Sequence, residues 1–494
     1  MRRREIFLNI LLSFGIIFFC CQKKNNPPET PTILPNPSIG SINTPYSFFA
    51  FSQDPDDDSV SIRFDFGDGN ISDWSPYVQS GETIEMVHSW QDTGIYYVKA
   101  QAKDIKGELS LWSREHQIQI TIPVGKAFGG SLNDVGYSVK ETRDGGYIIA
   151  GYSSSFSGGP DVYLIKTDEN CNLQWQKTFG LSGVILDIGL SVAETKDGGY
   201  IIAGYTDREG LQVYLIKTDE NGNLEWERTF GGWYDDEGYS VCPTKDGGYI
   251  IAGFTDTLGI GLYDVYLIKT DRNGNLEWQK VFGGPYRDYG YSVAQTSDGG
   301  YIIVGHTDPS GNQFYDIYLI KTDENGNLEW EKRFGGSGYE YGHSVKQTLD
   351  GGYIIVGSTS SFGTGGYDVY LIKTDENGNL EWQKTFGGFS DDEGYSVYPT
   401  LDSGYIITGY TQSFGAGSYD LYLIKTDKNG NLEWQKTFGG TDEDWGFSVE
   451  ETRDSGYVVT GYTKSFGAGW EDVYLIKINP IKNKILKIKI PLTF

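Results

Sequence analysis

A chain of 494 residues is too long for one ordinary hydrophobic core, so more than one domain is expected. Tyr (36), Trp (12) and Gly (67) are abundant and no long stretch carries helical periodicity, which excludes a helical protein and fits many short strands joined by tight turns. A formal net charge of −27 at pH 7 excludes nucleic-acid binding, because phosphate contacts need clustered Lys and Arg, and suits solubility, cations or basic partners.

Arg2, Arg3 and Arg4 precede a mostly apolar stretch from Ile6 to Phe19, which predicts an export signal over residues 1–20. That stretch is too short to cross a bilayer comfortably as a helix. Cys20-Cys21 follows, then a polar run and a Pro-rich tether over residues 21–37. The arrangement resembles a bacterial lipoprotein signal, which implies lipidation at Cys21 with Cys20 as the small residue before the cut. Phe18 and Phe19 depart from the small-residue pattern of such signals, so an uncleaved anchor and plain secretion stay open as alternatives. The expected location is the bacterial cell envelope, at the outer membrane or cell surface, with membrane contact through the lipid.

Residues 38–121 read as a β-sandwich of immunoglobulin-like size. Alternating segments predict strands from Tyr46 to Phe51, Val60 to Phe66, Thr83 to His88, Ile95 to Ala102 and Gln117 to Ile122. Asp54, Asp56 and Asp58 stand at alternating positions of an acidic run and are candidate Ca2+ ligands; a solvated acidic loop is the plainer reading. Phe64-Asp65-Phe66-Gly67-Asp68-Gly69, then His88-Ser89-Trp90, Gly94-Ile95-Tyr96-Tyr97-Val98 and Asp104, resemble the PKD domain in motif and order, with Phe64 in place of the usual Trp. The resemblance implies an extracellular spacer or adhesion module rather than a catalyst.

Residues 122–494 carry seven near-copies of one segment. The repeated tyrosine falls at Tyr147, Tyr200, Tyr249, Tyr301, Tyr353, Tyr405 and Tyr457, with spacings of 53, 49, 52, 52, 52 and 52. In the third copy, strands are expected from Gly238 to Thr244, Tyr249 to Thr255, Asp264 to Thr270 and Leu276 to Phe282, joined at Asp-Gly and Asn-Gly turns. YIIAGF and VYLIK are apolar almost throughout, as in strands covered on both faces. The fourth strand alternates as an outermost strand does. Four antiparallel strands, seven times over, predict a seven-bladed β-propeller and an all-β protein; a straight solenoid would need polar end caps that the sequence lacks. Residues 122–130 align with the end of a fourth strand, and the seventh copy lacks its own. The N-terminal strand is therefore expected to complete the seventh blade, with the tail from Lys484 to Pro491 as the alternative.

The chemistry-bearing patterns are few. Asp219-Glu220-Asn221-Gly222-Asn223 offers alternating oxygens but lacks a full calcium loop, so a capped hairpin is expected. His306 and His343 replace aromatic or apolar residues of other copies and are read as structural. Cys171 and Cys242 lie two copies apart, too far for a disulfide. The repeat is similar to the kelch type and to the tryptophan-bearing repeats of quinoprotein-type propellers. Copper-radical oxidases share the first architecture but need a histidine-rich site that this chain lacks, and nothing marks a quinone site. No Ser-His-Asp set, zinc motif or phosphate loop is present.

Variation between copies is one-sided. The turns after the first and third strands barely change, while the loops after the second and fourth strands change strongly and must share one end of the repeat. Trp233, Tyr234, Asp235 and Asp236, Tyr286, Asp288 and Tyr289, Tyr339 and Tyr341, Asp391 and Asp392, and Asp444 and Trp445 come from the second of these loop sets. Aromatic platforms beside carboxylates suit stacking on sugars or docking a basic protein. The expected protein is a monomeric, non-enzymatic surface binder of glycan or of an envelope protein. A polysaccharide-cleaving enzyme and an envelope-assembly scaffold are the alternatives.

Overall fold

The computed structural model describes residues 25–34, 39–41, 46–90, 92, 94–121, 124–156, 158–180, 186–207 and 210–478. The export signal, Cys21, Ile122 and the tail from Lys484 to Pro491 lie outside the described residues. The chain divides into two compact units near residue 120.

The first unit is a sandwich of β1 (Thr32–Ile33), β2 (Ile39–Ser41), β3 (Tyr46–Phe51), β4 (Val60–Asp65), β5 (Thr83–His88), β6 (Gly94–Asp104) and β7 (His116–Thr121). Its sheets run β1-β3-β5 and β2-β7-β6-β4. The two short strands were not expected from the sequence; Thr32 and Ile33 fall in the stretch read as tether but pair with Phe51 and Ala50. Inward residues Phe48, Phe64, Phe66, Trp90 and Val98 form the core. The Trp90 indole N–H donates to the Phe66 carbonyl at 3.2 Å, and the His88 ring stacks on Phe66 while bonding Asp68 at 2.8 Å. The Phe-Gly-Asp motif is thus a packing device. A side chain at Gly67 would lie 2.7 Å from the Tyr97 amide nitrogen, and φ there is +78°.

In the second unit seven four-stranded sheets follow one another among the described residues, each antiparallel with consecutive strands adjacent. We number them blades 1 to 7, beginning at Asp134, Asp187, Asp236, Asp288, Glu340, Asp392 and Asp444. Blade 3 comprises Asp236–Pro243, Tyr249–Thr255, Asp264–Thr270 and Leu276–Phe282. Blade 7 comprises Asp444–Glu451, Tyr457–Thr463, Asp472–Ile478 and, as its fourth strand, β8 (Val124–Phe128). Val473 pairs with Phe128 and Lys477 with Val124, the register by which Val213 meets Phe230 and Lys217 meets Trp226 in blade 2.

The repeat's regular residues explain its shape. Tyr249–Thr255 and Asp264–Thr270 are buried throughout because a sheet covers each of their faces. Lys217, buried by its own strand, finds the exposed carboxylates of Asp197 (3.1 Å) and Glu225 (2.9 Å) at its tip. In the third turn Asp219 accepts the Asn221 and Asn223 amides at 2.9 and 2.8 Å, which fixes a hairpin rather than a cation loop. Gly222 there has φ +73°, and a Cβ would strike the Trp175 ring of the preceding blade at 2.6 Å. Blade 1 departs from this rule. The fourth strand before it carries Val124 where others carry Trp, and Cys171 takes the turn glycine's place, fully buried in one cluster with Phe128.

First strands of successive blades pack side by side, the seventh against the first. A serine at the fifth position of each first strand accepts the amide of a valine in the next blade, at 3.1 to 3.4 Å. The bonds run Val192 to Ser138, Val241 to Ser191, Val293 to Ser240, Val345 to Ser292, Val397 to Ser344 and Val449 to Ser396, and Val139 to Ser448 returns to the start. The register shifts between Gly238 and Ser240 in blade 3, and at the matching place in every blade. That bulge presses a carbonyl onto the facing glycine, so a Cβ on Gly253 would sit 1.7 Å from the Glu237 carbonyl oxygen.

Candidate functional site

With the first strands side by side, their second, fourth and seventh residues face a common axis in three tiers. Nearest the variable loops stand Val135, Ile188, Glu237, Tyr289, Tyr341, Glu393 and Trp445. The middle tier is Tyr137, Leu190, Tyr239, Tyr291, His343, Tyr395 and Phe447. Nearest the invariant hairpins stand Lys140, Ala193, Cys242, Ala294, Lys346, Tyr398 and Glu450. Middle-tier rings touch across blades: Tyr239 and Tyr291 at 4.7 Å, His343 and Tyr395 at 4.9 Å, Tyr395 and Phe447 at 5.3 Å, Phe447 and Tyr137 at 5.0 Å.

Burial sets the electrostatics of the upper tiers. Glu237 is pushed up to about 7 by burial, against the hydrogen bond it accepts from the Tyr239 hydroxyl at 2.8 Å. Burial also raises Glu393, which accepts from Tyr410 at 2.9 Å and Tyr395 at 3.2 Å. His343 is held down to about 4 by burial, and His306 well below its ordinary value by burial and then by His343, so both imidazoles are neutral near pH 7. His306 Nδ1, His343 Nε2 and the Trp445 indole N–H are buried and without a hydrogen-bond partner among the described residues. Three orphaned polar atoms inside one aromatic wall can serve hydroxyl groups of a ligand.

The candidate loop residues separate into four kinds. Trp233 and Tyr234 are 79% and 64% exposed, and Phe389 and Trp470, on variable loops of other blades, are 90% and 80% exposed. Tyr286, more than a third exposed, covers Gly311 of its own blade's next loop. Tyr289, Tyr339, Tyr341 and Trp445 are half-buried and form a wall around the axis: Tyr289 lies 4.7 Å from His306, Tyr341 4.9 Å from His306, Tyr339 6.4 Å from Tyr341, and Trp445 4.3 Å from Tyr410. Asp236, Asp288, Asp392 and Asp444 differ from expectation. First strands begin two residues earlier than the sequence predicts, so these side chains are buried and hold backbone. Asp236 accepts the Gly232 amide and the Thr257 hydroxyl at 2.7 and 2.8 Å, and Asp392 the Gly388 amide and Ser413 hydroxyl at 2.8 and 2.7 Å. They shape the loops. Asp235 and Asp391 are half-buried, and Asp391 accepts the Tyr367 amide at 2.9 Å.

Asp288, Asp392 and Asp444 each also meet an aspartate from the blade before, whereas Asp236 faces a blade that carries Gln212 at that place. A Cβ on Gly387 would lie 2.2 Å from Asp368 Oδ1 and 2.7 Å from Asp392 Oδ2, so the two carboxylates flank one glycine. Burial raises Asp368 and Asp420 to about 6, and the like charges of Asp392 and Asp444 add to it.

In the sandwich, Asp54, Asp56 and Asp58 bring one oxygen each to within 4.8 Å of one another. Asp54 Oδ2 is buried without a hydrogen-bond partner among the described residues, which fits a cation. Asp58 already meets the Lys106 ammonium at 2.7 Å, and Asp56 accepts the Asn26 amide at 2.7 Å. The three oxygens fit Ca2+ only if Lys106 swings away, since it supplies the positive charge as the structure stands.

The axial tiers are what the sequence reading missed. Their signal was present: positions two, four and seven of the first strand change from copy to copy, while positions three, five and six hold Gly, Ser and Val.

The PKD family model matches residues 32–115. Residues 32–115 are a PKD domain. The PKD domain of an M14-like peptidase from Thermoplasmatales archaeon SCGC AB-540-F20 is 32% identical over 20% of this chain and 98% of its own, with a TM-score of 0.19. Beta-1,2-mannobiose phosphorylase from Listeria innocua is 10% identical over 72% of this chain and 90% of its own (TM-score 0.31). An apocarotenoid oxygenase from Synechocystis is 10% identical over 82% and 96% (TM-score 0.36). Likenesses at this level carry nothing about the activity of the repeat unit. Among curated proteins, none matches the chain in sequence.

Proposed function

We propose that this is an exported, lipid-anchored envelope protein whose seven sheets close into a propeller of kelch or quinoprotein-like repeat type and bind a glycan, without catalysis, at the variable-loop end. The supporting observation is the pairing of an exposed aromatic rim, Trp233 and Tyr234, with an axial wall holding three orphaned polar atoms at His306, His343 and Trp445. Rings stack on the apolar faces of sugars, and orphaned donors and acceptors take hydroxyl groups. A surface protein is the other partner such a rim suits. Titrating the full chain against glycan and envelope-protein panels tests the reading. Loss of binding in Trp233→Ala, Tyr289→Ala and Trp445→Ala is expected, and retained binding in all three removes the face from consideration.

A polysaccharide-cleaving activity draws support from Glu237, which keeps its proton to about pH 7 as a general acid must. Its axial partner Glu393 stands three blades away rather than on an adjacent one. Absence of turnover across a polysaccharide panel that the protein binds would leave binding alone.

A further inference from the structure

At the other end of the axis, we propose a site for a small organic anion carrying a carboxylate or phosphate, held by Lys346 where the axis opens among the invariant hairpins. The inference is independent of the glycan reading, which concerns the opposite end.

A cavity of about 490 Å³ opens there, lined by Lys346, Tyr398, Ala294, Gln295, Gln347 and Lys245 among others. That volume falls in the ordinary range for small-molecule sites. Charge in the lowest tier is unbalanced. Lys140 is paired with Glu450 at 3.2 Å, and the second oxygen of Glu450 accepts the Glu141 amide at 2.8 Å, so that carboxylate is fully committed. Lys346 has no ion pair or hydrogen bond among the described residues, and its tier neighbours Ala294 and Tyr398 bring no charge. Elsewhere in the repeats a buried lysine such as Lys321 is given two carboxylates, Asp298 and Glu329, each at 2.9 Å.

The Glu450 charge favours the Lys346 ammonium from a distance, but among the described residues no carboxylate pairs with it directly. The Gln295 and Gln347 side-chain carbonyls already accept the Lys245 and Ser297 backbone amides, each at 2.8 Å, and the Thr296 and Ser297 carbonyls accept from the Lys245 ammonium. The rim carboxylates of Glu194, Glu451 and Glu141 accept the backbone amides of Arg143, Leu401 and Arg453. Burial, and then the Lys140 ammonium, hold the Lys346 amine below the ordinary lysine range. An oxyanion at the Lys346 ammonium, with the Tyr398 hydroxyl of the same cavity as a second donor, supplies the acceptor that this lysine lacks. In a chain of net charge −27, a solvent-open mouth that keeps an unpaired lysine is a place for a ligand rather than for solubility.

Isothermal titration of the full chain with inorganic phosphate and, separately, with citrate at constant ionic strength tests this. Single-site binding of at least one anion is expected, weakened at least about tenfold in Lys346→Met and kept in Lys346→Arg, as one lost charge-assisted bond in a desolvated site predicts. Ala294→Glu, which supplies Lys346 with a carboxylate from the adjacent blade, is expected to give the same loss and keeps the test open should Lys346→Met fold poorly. Phosphate bound without citrate assigns a phosphate ligand, and the reverse a carboxylate. Binding of neither anion at millimolar concentration, or equal affinity in the wild type and both weakened variants, overturns the proposal. Unchanged glycan binding in Lys346→Met shows the two ends to be separate.

Discussion

The two ends of the repeat unit are built by opposite rules. At the hairpin end blades 2 to 6 spend the same residues on the same bonds: aspartate caps the turn, lysine reaches two carboxylates, and glycine makes room for the neighbouring tryptophan. At the loop end a buried acid opens every first strand, aspartate in six blades and Glu340 in the fifth, and it holds loops whose outward residues differ from blade to blade. A repeat can vary freely where its loops are tied from beneath. Constancy at one end is what makes variation at the other affordable.

The comparison can be broken most severely where the blade backbone is tightest. Gly305→Ala puts a Cβ 1.7 Å from the Tyr289 carbonyl oxygen, so it should cost more than about 3 kcal/mol or prevent folding, as denaturant titration would read. Acidity should separate the ends next. Glu237 (about 7) and Asp368 and Asp420 (about 6) hold protons more tightly folded than unfolded. Their stabilising effect is full below the ordinary carboxylate range and is lost as pH rises through 6 to 7. Melting temperature is therefore expected to fall between pH 5 and pH 8, with a shallower fall in Glu237→Gln, whose share is of the order of 3 kcal/mol. Hairpin-end carboxylates such as Asp246 and Asp298, lowered to about 2 by the lysine and threonine bonds that outweigh burial, lose their contribution only as pH falls towards 2. Unchanged melting from pH 5 to pH 8 would contradict this division.

Smaller effects follow. Ser292→Ala removes one bond of the serine ring and leaves the buried Val345 amide unpaired, at about 1 to 2 kcal/mol in chemical denaturation. Trp233→Ala, on an exposed ring, should change stability by less than about 0.5 kcal/mol while abolishing ligand capture, and a large loss of stability would show the ring to be structural.

Much of the fold was legible because its causes repeat. Tyr249–Thr255, Asp264–Thr270 and Leu276–Phe282 follow from apolar runs and Asn-Gly or Asp-Gly turns, and a fourth-strand pattern before the first copy placed β8 in the last blade. First strands were harder. Asp236 is polar and precedes Glu237, so a composition reading begins the strand at Gly238, although the acid is buried by the bonds it makes. The candidate site was legible only in part. Exposed Trp233 and Tyr234 show as loop variation, whereas Glu237, His343 and Lys346 reach one axis through a sevenfold arrangement that no single copy encodes.

The pairing of Val124–Phe128 with Asp472–Ile478 joins segments more than three hundred residues apart in the chain. During synthesis or export the first of these strands emerges long before the last, and its hydrogen-bonding edge has no lasting partner until the seventh blade arrives. Closure should then be the slowest event in folding and the one with the largest loop-entropy cost. A chain cut before Asp472 would leave both edges bare and prone to pair with other molecules. Once closed, the same strand acts as a latch, since no blade at either end of the series can fray without first releasing it.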